Sequence, residues 1–434
     1  MKEALLSLFK AEPRALLIVT RILKLHLQGP MTRHIKGSLR ITGSKSESNR
    51  LLILQALFPG IRIENLSNSD DSRVMQRALS TREQLVDIHH AGTAMRFLTA
   101  YFASREGVEV VLTGSERMKQ RPIQILVEAL NDLGASVSYL EEPGCPPLHI
   151  EGKKLKHTSV ELPADVSSQY ISALLLIAPS LPEGLRIHLI GHITSLPYIK
   201  MTLGLLNRLG IRAEMQEQTL SVYHTPKVTD QICVVESDWS SASYYFSILA
   251  LSEPGSRLRL SAYREDSLQG DRVLCELFKS LGVRSEFDAD TLVLSRTEQA
   301  LPPRLDLDLV QAPDLAQTLA VCCFGLGISC EIKGLHTLKI KETDRLEALR
   351  TELTKLGAQI RVTNHSLHLE KSEGCNPGIT VETYNDHRMA MAFAPLALKT
   401  NLFIKDAGVV SKSYPGFWED LEHIGFKTEA VGSY

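Results

Sequence analysis

Residues 318–334 read TLAVCCFGLGISCEIKG, and this stretch contains the pattern on which the whole chain is built. An apolar run of helical length ends at Gly327, and a β-rich segment follows at once. The same order of apolar helix, Gly or Pro turn and strand recurs at residues 50–65, 94–112, 171–189, 244–260 and 391–406. Six copies of one unit predict an α/β protein built by repetition of a module rather than a single doubly wound sheet.

A second helix follows in each unit. In the last five units it ends in Leu-Gly or Ile-Gly before another strand, and a glycine there suits the left-handed residue that closes a helix. These glycines are Gly134, Gly210, Gly282, Gly357 and Gly425. In the first unit the segment VMQRALSTREQLVDI, residues 74–88, occupies that place without a glycine.

The length of 434 residues suits two domains of about 200 residues each. We predict three units per domain, with a boundary near Val235 to Trp239, and the sequence alone leaves the strand before Gly43 open to either half. Residues 1–30 are an N-terminal extension of unknown role, too short and too charged in their apolar part to span a bilayer. Met31 leaves open that this segment comes from a misassigned start codon.

Composition excludes several classes of protein. The net charge of -2 and the isoelectric point near 6.7 give no global attraction to nucleic acid or to an anionic membrane. Seven cysteines without CxxC spacing indicate reduced thiols and a cytoplasmic location. His89 and His90 are adjacent rather than on one helical face, and no cluster has metal-ligand spacing, so no metal site is predicted.

The segments that open the first helix of each unit are polar, serine-rich or cationic. A helix start presents free amide groups and the positive end of the helix dipole, so it is a natural anion site. The alternative is six ordinary N-caps, but caps alone do not explain Lys45, Arg50 and Arg96 within about one turn of them. The segments are GSKSESNR, HHAGTAMR, ADVSSQY, ESDWSSASY, QAPDLAQT and YNDHRMA.

A second group of cations lies late in the chain, in IKETDRLEALR at residues 340–350, in NDHR at 385–388 and at Lys412. Thr343 or Asp344 suits the N-cap of the helix that follows. Together the two groups predict a cleft that holds a small polyanion carrying phosphates or carboxylates. Asp314 and Glu342 are the acids in these segments that suit proton transfer.

Seven motifs in this order and spacing resemble the 5-enolpyruvylshikimate-3-phosphate synthase family of enolpyruvyl transferases. The resemblance runs from about Gly37 to Phe426. It implies an inside-out α/β barrel fold of two domains, each of three βαβαββ units, with residues 44–238 in one and residues 31–43 plus 239–434 in the other. The motifs are GSKSESNR, AGTAMR, ERMKQRP, SSQY, KETDRL, YNDHRMAM and SKSYP.

The resemblance also implies a reaction: the enolpyruvyl group of phosphoenolpyruvate moves to the 5-hydroxyl of shikimate 3-phosphate, and phosphate is released. This is a step of the shikimate pathway to chorismate and the aromatic amino acids, with no metal or organic cofactor. The chemistry needs a base at the hydroxyl, an acid at the methylene carbon and cations that hold two anions together. The sixfold repeat predicts a monomer whose domains close on ligand, without nucleic-acid or membrane partners.

Site residues carry over position by position from the resemblance. The implied catalytic residues are Asp314 as base, Glu342 as acid, and Lys45. Shikimate 3-phosphate is expected to contact Lys45, Ser46, Arg50, Ser167, Ser168, Gln169, Ser195, Asp314 and Lys341. Phosphoenolpyruvate is expected to contact Lys45, Gly92, Arg117, Gln169, Arg345, Arg388 and Lys412.

Three other functions share parts of this pattern. The sister transferase that acts on UDP-N-acetylglucosamine uses a cysteine acid near the position of Arg117, whereas no cysteine occurs between residues 91 and 144. RNA 3'-phosphate cyclase uses a similar repeat, but RNA binding favours a basic surface with interleaved aromatics, and only 6% of this chain is aromatic. A catalytically silent anion-binding relative would not need both Asp314 and Glu342.

Overall fold

The computed structural model describes residues 24–431 except 166, 192, 194 and 195. Two hydrophobic cores divide the chain. One runs from Leu51 to Val235, and the other combines residues 25–41 with residues 239–426. The chain therefore passes between the cores twice, at residues 42–44 and 235–238, which we call the first and second crossing segments.

The chain order alternates strands and helices. The first two strands, β1 (Lys24–Gln28) and β2 (Lys36–Leu39), precede the first crossing segment and belong to the second core. The elements of the N-terminal domain are α1 (Lys45–Leu57), β3 (Ile61–Glu64), α2 (Asp70–Ser80), β4 (Leu85–Asp87), α3 (Gly92–Ala103), β5 (Glu109–Thr113), α4 (Gln124–Asp132), β6 (Ser136–Tyr139), β7 (Leu148–Glu151), β8 (Ser159–Pro163), α5 (Ser168–Ile177), β9 (Leu185–Ile190), α6 (Leu196–Arg208), β10 (Ala213–Gln216), β11 (Thr219–Val222) and β12 (Gln231–Val234).

The C-terminal domain repeats the same alternation, with short 3-10 turns before several helices. Its elements after the second crossing segment are α7 (Trp239–Leu251), β13 (Arg257–Ser261), α8 (Leu274–Leu277), β14 (Val283–Asp288), β15 (Thr291–Arg296), β16 (Arg304–Asp308), α9 (Ala316–Leu326), β17 (Ser329–Lys333), α10 (Arg345–Lys355), β18 (Ile360–Val362), β19 (Leu367–Leu369), β20 (Ile379–Val381), α11 (His387–Phe393), β21 (Leu402–Ile404), α12 (Phe417–His423) and β22 (Lys427–Val431).

Five of the six sheets in the described residues have four strands in one arrangement: a parallel pair, then two antiparallel strands. Their orders are β4-β5-β7-β6, β8-β9-β11-β10, β2-β13-β15-β14, β16-β17-β19-β18 and β20-β21-β1-β22. The sixth sheet has only the parallel pair β12-β3. The βαβαββ pattern is thus incomplete in the first unit, because residues 81–84, which join α2 to β4, are too few for two more strands.

Strand β1 gives a structural place to part of residues 1–30, the extension to which the sequence assigned no known role. It lies between β21 and β22 and pairs antiparallel with both, and Leu25 and Leu27 are buried in the second core. It supplies the strand that completes the last four-stranded sheet. A chain starting at Met31 would lack it. The earlier residues 1–23 lie outside the described part of the chain.

Local sequence explains how the units end and begin. The five glycines that follow the second helices all have positive φ, from 77° at Gly210 and Gly282 to 103° at Gly357, as expected for left-handed helix closure.

The first helices α1, α3 and α5 pack on one another in the interior of their domain. No helix in the described ranges is long and apolar enough to cross a membrane.

Candidate active site

The C-terminal side of the cleft is built around one guanidinium. Arg345 is the first residue of α10, whose N-cap Asp344 accepts the Glu347 amide at 3.1 Å. Its Nε donates to Asp386 at 2.6 Å, one terminal nitrogen donates to Asp314 at 2.9 Å, and the other donates to Glu342 at 2.9 Å. The side chain is only 2% exposed. Three carboxylates therefore surround a single buried cation.

Asp314 lies in the 3-10 turn Pro313–Leu315 that leads into α9. Besides Arg345, its carboxylate accepts a hydrogen bond from Arg388 at 3.0 Å, and Lys341 Nζ is 3.7 Å away. Burial alone would raise the pKa of Asp314, but Arg388, Lys341 and Arg345 outweigh burial and hold it well below its usual range. Asp314 is therefore ionised at neutral pH, the state that a base requires.

Glu342 has the same electrostatic character. Burial raises its pKa, and the positive charges of Arg345, Lys45 and Lys341 reverse this and lower it well below the ordinary value. Lys45 belongs to the N-terminal domain and Glu342 to the C-terminal domain, so the charge of the predicted lysine acts on the predicted acid across the two domains. The two predicted faces of the cleft are thus brought together in this structure.

The N-terminal side of the cleft gathers the starts of α1, α3 and α5. Lys45, the first residue of α1, lies 3.5 Å from Asp71 on α2. Gln169, in the first turn of α5, donates to Thr93 in the first turn of α3 at 3.4 Å. At Gly92, a Cβ atom would lie 2.5 Å from a terminal nitrogen of Arg121, so the absent side chain leaves room for that guanidinium.

Two arginines of this side are buried without a carboxylate among their recorded partners. Arg50 donates to Thr202 at 2.8 Å, to Ser172 at 3.0 Å and to the Ser46 carbonyl at 2.8 Å. Arg96 donates to the Pro122 carbonyl at 2.9 Å, and its Nε has no partner among the described atoms. Burial lowers the pKa of each guanidinium to about 10. Both cations are therefore desolvated, and they donate hydrogen bonds to neutral oxygens rather than to carboxylates.

The remaining predicted residues differ in how close they lie to this centre. Lys412, mostly buried, donates to the Asn385 carbonyl at 2.6 Å, and burial lowers its pKa although Glu342 opposes the shift. Ser167 caps α5 and is exposed, while Ser168 is buried. Arg117 is exposed, with a long 3.4 Å bond to Gln120. Ser195 lies outside the described residues.

Sequence reasoning missed two residues that the structure places at this centre and one on the N-terminal side. Asp386 caps α11 by accepting the Arg388 amide at 2.9 Å and also binds Arg345. Tyr198, in the first turn of α6, donates to Asp314 at 3.2 Å across the domains. Arg121, which lies beside Gly92, stands in the ERMKQRP motif but was given no role. Asp386 was recoverable, since it stands in the quoted NDHR motif at a helix start.

Possible metal ligands were sought in the part of the chain that the structure describes. It contains no group of three or more His, Cys, Asp or Glu side chains arranged to hold an ion. The charges of the site are instead balanced between side chains. Any further anion has to be accommodated by Lys45, Lys341, Lys412 and the arginines around them.

Comparison with solved structures gives the class of the fold. EPSP synthase from Acinetobacter baumannii aligns with a TM-score of 0.74 at 20% identity, covering 94% of this chain and all of that one. The enolpyruvyl transferase NikO from Streptomyces tendae aligns with a TM-score of 0.71 at 15% identity, covering 95% and 100%. The fold is that of the enolpyruvyl transferases.

Sequence comparison gives the family. The model of the family described as EPSP synthase (3-phosphoshikimate 1-carboxyvinyltransferase) matches residues 76–421. The 3-phosphoshikimate 1-carboxyvinyltransferase of Bacteroides fragilis is 46% identical over 401 residues, which is 90% of this chain and 96% of the relative. That of Haemophilus influenzae is 34% identical over 430 residues, covering 91% and 97%. The chain belongs to the EPSP synthase family.

Proposed function

We propose that this chain transfers the enolpyruvyl group of phosphoenolpyruvate to the 5-hydroxyl of shikimate 3-phosphate and releases phosphate, the step of the shikimate pathway that leads towards chorismate. The observation that carries the proposal is that Asp314 and Glu342 bind the two terminal nitrogens of the same Arg345 guanidinium, each at 2.9 Å. A base and an acid are thereby held one guanidinium width apart, as addition across a short carbon–carbon double bond requires.

Asp314 has the role of base. Its carboxylate accepts the proton of the 5-hydroxyl as the hydroxyl oxygen bonds to the central carbon of phosphoenolpyruvate. Arg388, Lys341 and Arg345 keep it ionised and also make it a weak base in the unliganded site. A bound phosphate or carboxylate draws these cations away from Asp314, which strengthens the base only when substrate is present.

Glu342 has the role of acid and delivers a proton to the methylene carbon, which gives a tetrahedral intermediate. The intermediate then loses a proton from the new methyl group as its bond to phosphate breaks, which restores the carbon–carbon double bond in the product. In the unliganded site the cations hold Glu342 ionised, so it has to gain a proton before it acts. Two anionic substrates beside Lys45, Lys341 and Arg345 neutralise these charges, and closure of the cleft excludes water. Both effects raise the pKa of Glu342 towards the range in which a carboxylic acid is a donor at neutral pH.

The cations divide between the substrates. Lys45, Ser46, Arg50, Ser168 and Lys341 suit shikimate 3-phosphate, together with Ser167 and Gln169 of the SSQY motif and with Ser195. Lys45, Gly92, Arg117, Gln169, Arg345, Arg388 and Lys412 suit phosphoenolpyruvate. Because Arg345 is saturated by three carboxylates, its part in binding requires that one of them release it. Lys45 and Lys341 have more room, with side chains 21% and 32% exposed.

We also propose that the protein acts as a monomer in the cytoplasm. Support for the monomer is that one chain supplies both faces of the site, since Tyr198 of the N-terminal domain donates to Asp314 of the other. Support for the location is that all seven cysteines are free thiols, three of them buried, as is usual in a reducing compartment. Light scattering of the purified protein at working concentration measures the mass.

The experiment is phosphate release from phosphoenolpyruvate with shikimate 3-phosphate present, absent, or replaced by UDP-N-acetylglucosamine. Release only with shikimate 3-phosphate supports the proposal. Release with the nucleotide sugar would assign the sister reaction. No release with either acceptor from a folded protein, together with a thermal shift on adding shikimate 3-phosphate, would indicate a silent binding protein.

Variants then test the two roles. Asp314→Asn and Glu342→Gln are each expected to lower kcat by about 100- to 10,000-fold, the usual contribution of general acid–base catalysis. Glu347→Gln is the matched control, because Glu347 lies in the first turn of α10, close in sequence to Glu342, but is exposed and pairs with Arg350. Near-normal turnover in either test variant would refute the corresponding role.

A further inference from the structure

The two crossing segments form a short hydrogen-bonded ribbon between the domains. The Ser44 amide donates to the Glu236 carbonyl at 2.8 Å, and the Asp238 amide donates to the Thr42 carbonyl at 3.2 Å. Gly43 and Ser237 form an isolated antiparallel bridge between these bonds. Any change in the angle between the domains therefore acts on this ribbon.

Glu47 ties the first turn of α1 to that ribbon by an altered capping box. Ser44 is the N-cap and accepts the Glu47 amide. A glutamate at this third helical position ordinarily accepts the N-cap amide in return. Here the Ser44 amide already donates to Glu236, and Glu47 Oε2 accepts the amide of Glu236 at 3.3 Å. The reciprocal bond has moved to the second crossing segment.

The two carboxylates are both buried but differently supported. Glu236, 2% exposed, accepts from Trp239 Nε1 at 2.7 Å, from the Arg264 amide at 2.9 Å and from Ser267 at 2.6 Å. Glu47, 4% exposed, has the Glu236 amide as its recorded donor. Burial raises the pKa of both carboxyl groups, but the three donors partly offset this at Glu236, so Glu236 accommodates negative charge better than Glu47 does.

Several charged groups act on Glu47. Burial, and then repulsion by Glu236, raises the pKa of Glu47 to about 7, while Arg264 and Arg208 partly oppose this. The thiol of Cys233 also faces Glu47, and burial and Glu47 raise its pKa. Across neutral pH, Glu47 thus changes from a neutral acceptor into a second buried negative charge beside Glu236.

The turn that Glu47 holds carries the N-terminal face of the active site. Lys45 and Ser46 are the first two residues of α1, and Lys45 lies 3.5 Å from Asp71 and close enough to lower the pKa of Glu342 across the cleft. We propose that Glu47 is a positioning residue, which fixes Lys45 and Ser46 relative to the second crossing segment and so couples domain closure to the placement of Lys45. The inference rests on the proposed function for its catalytic consequence.

Two substitutions at Glu47 separate the effect of its hydrogen bond with the Glu236 amide from the effect of its negative charge. Glu47→Gln keeps an oxygen that accepts the Glu236 amide and removes the repulsion, whereas Glu47→Ala removes both. Glu64→Ala is the matched control, because Glu64 is an exposed carboxylate on β3, next to the second crossing segment. Hydrogen exchange of the amides at residues 44–50 and 235–238 in the unliganded protein is the first readout.

We expect Glu47→Ala to speed this exchange by about tenfold or more, and Glu47→Gln and Glu64→Ala to leave it near wild type. Unchanged exchange in Glu47→Ala would overturn the inference. This readout needs no turnover, so it tests Glu47 even if the wild-type protein releases no phosphate. In that case the proposed function fails separately, in the wild-type assay.

Kinetics supply the second readout. In Glu47→Ala, kcat/KM for phosphoenolpyruvate is expected to fall by about tenfold to a hundredfold, because small misplacements near reacting groups are costly, and Glu47→Gln is expected to restore it. In wild type, repulsion between Glu47 and Glu236 grows as Glu47 loses its proton, whereas Glu47→Gln has no such repulsion. The ratio of kcat/KM in Glu47→Gln to kcat/KM in wild type is therefore expected to rise from about pH 6 to about pH 8. A ratio that is flat with pH, or equal losses in both variants, would indicate a merely structural residue and contradict the inference.

Discussion

The two faces of the cleft use buried arginine in opposite ways. On the C-terminal face, Arg345 binds Asp386, Asp314 and Glu342, and these carboxylates raise its pKa despite burial. On the N-terminal face, Arg50 and Arg96 contact neutral oxygens, and burial lowers the pKa of each to about 10. One face is an internally neutralised network, and the other holds uncompensated positive charge.

This difference indicates a division of work. The charge of Arg345 is already balanced, so the C-terminal face is held together before substrate arrives and is expected to contribute to stability. Arg50 and Arg96 lose hydration without gaining a counter-ion, which is unfavourable until an anion binds. The N-terminal face is therefore expected to contribute more to ligand affinity than to folding.

The largest effect is expected from Asp386→Asn. Asparagine keeps an oxygen to cap α11 but removes the strongest partner of the buried Arg345 side chain. Breaking a buried ion pair typically costs about 3–5 kcal/mol, and Asp314 and Glu342 remain, so we expect the free energy of unfolding to fall by about 3 kcal/mol. Urea unfolding measures it.

Asp306→Asn provides the control, since Asp306 pairs with Arg304 at 2.7 Å on the exposed surface. Exposed pairs contribute about 0–1 kcal/mol. Equal losses in the two variants would mean that the network around Arg345 contributes no more than a surface pair, and the contrast between the faces would disappear.

Arg50→Met tests the other face. Methionine removes the desolvated charge, and the hydroxyls of Ser172 and Thr202 keep the 2.9 Å hydrogen bond that they already share. We expect the free energy of unfolding without ligand to change by less than about 1 kcal/mol. Hydrogen bonds to charged groups contribute about 1.5–3 kcal/mol, so the Kd for shikimate 3-phosphate should rise by about tenfold to 150-fold.

Calorimetric titration with shikimate 3-phosphate and urea unfolding of the same Arg50→Met preparation check the two expectations together. A large loss of stability with unchanged affinity would make Arg50 a structural cation like Arg345. Buried arginine would then stabilise the fold on both faces of the cleft.

How much of this was predictable differs between fold and site. The repeated units and their closing glycines are local signals, and Gly134 or Gly357 needs positive φ whatever surrounds it. Strand β1 was missed because its residues, KLHLQ, acquire meaning only beside β21 and β22, at the far end of the chain. The shortened first sheet was visible only as an unusual segment at residues 74–88.

For the site, the sequence indicated the cations and the two acids because each lies at a helix start or in a motif. It did not indicate which charges meet. The Tyr198–Asp314 bond follows from how the two domains approach each other. The contacts of Asp386 and Arg50 follow from how helices pack within each domain, so both kinds of contact are properties of the tertiary structure. Both faces are cationic in sequence. Composition therefore does not reveal that the buried arginine of one face pairs with carboxylates while those of the other contact neutral oxygens.

The acid side of the pH profile gives a smaller effect. Asp314 has a depressed pKa, so its contribution to stability is fully present above its unfolded pKa of about 3.9 and is lost as the pH falls through the lower folded value. Each unit of depression corresponds to about 1.4 kcal/mol. Arg50 and Arg96 stay charged at acidic pH, so they add no pH dependence to the free energy of unfolding there.

Urea unfolding between about pH 5 and pH 3 is therefore expected to show a shallower loss of stability in Asp314→Asn than in wild type. Parallel losses would show that Asp314 is no better stabilised as an anion in the folded protein than in the unfolded chain. The C-terminal face would then not be electrostatically preorganised around it.

The smallest expected effect concerns the bond that joins the two faces. Tyr198 of the N-terminal domain donates to Asp314 at 3.2 Å and helps to lower its pKa. Tyr198→Phe removes this donor while Arg388, Lys341 and Arg345 remain. The bond is long, so the free energy of unfolding should fall by only about 1.5 kcal/mol, the low end for a hydrogen bond to a charged group. If the double variant Tyr198→Phe with Asp314→Asn loses less than the sum of the single losses, the bond itself couples the faces. Strict additivity would mean that each face stabilises its own domain and that substrate, rather than this tyrosine, holds the cleft closed.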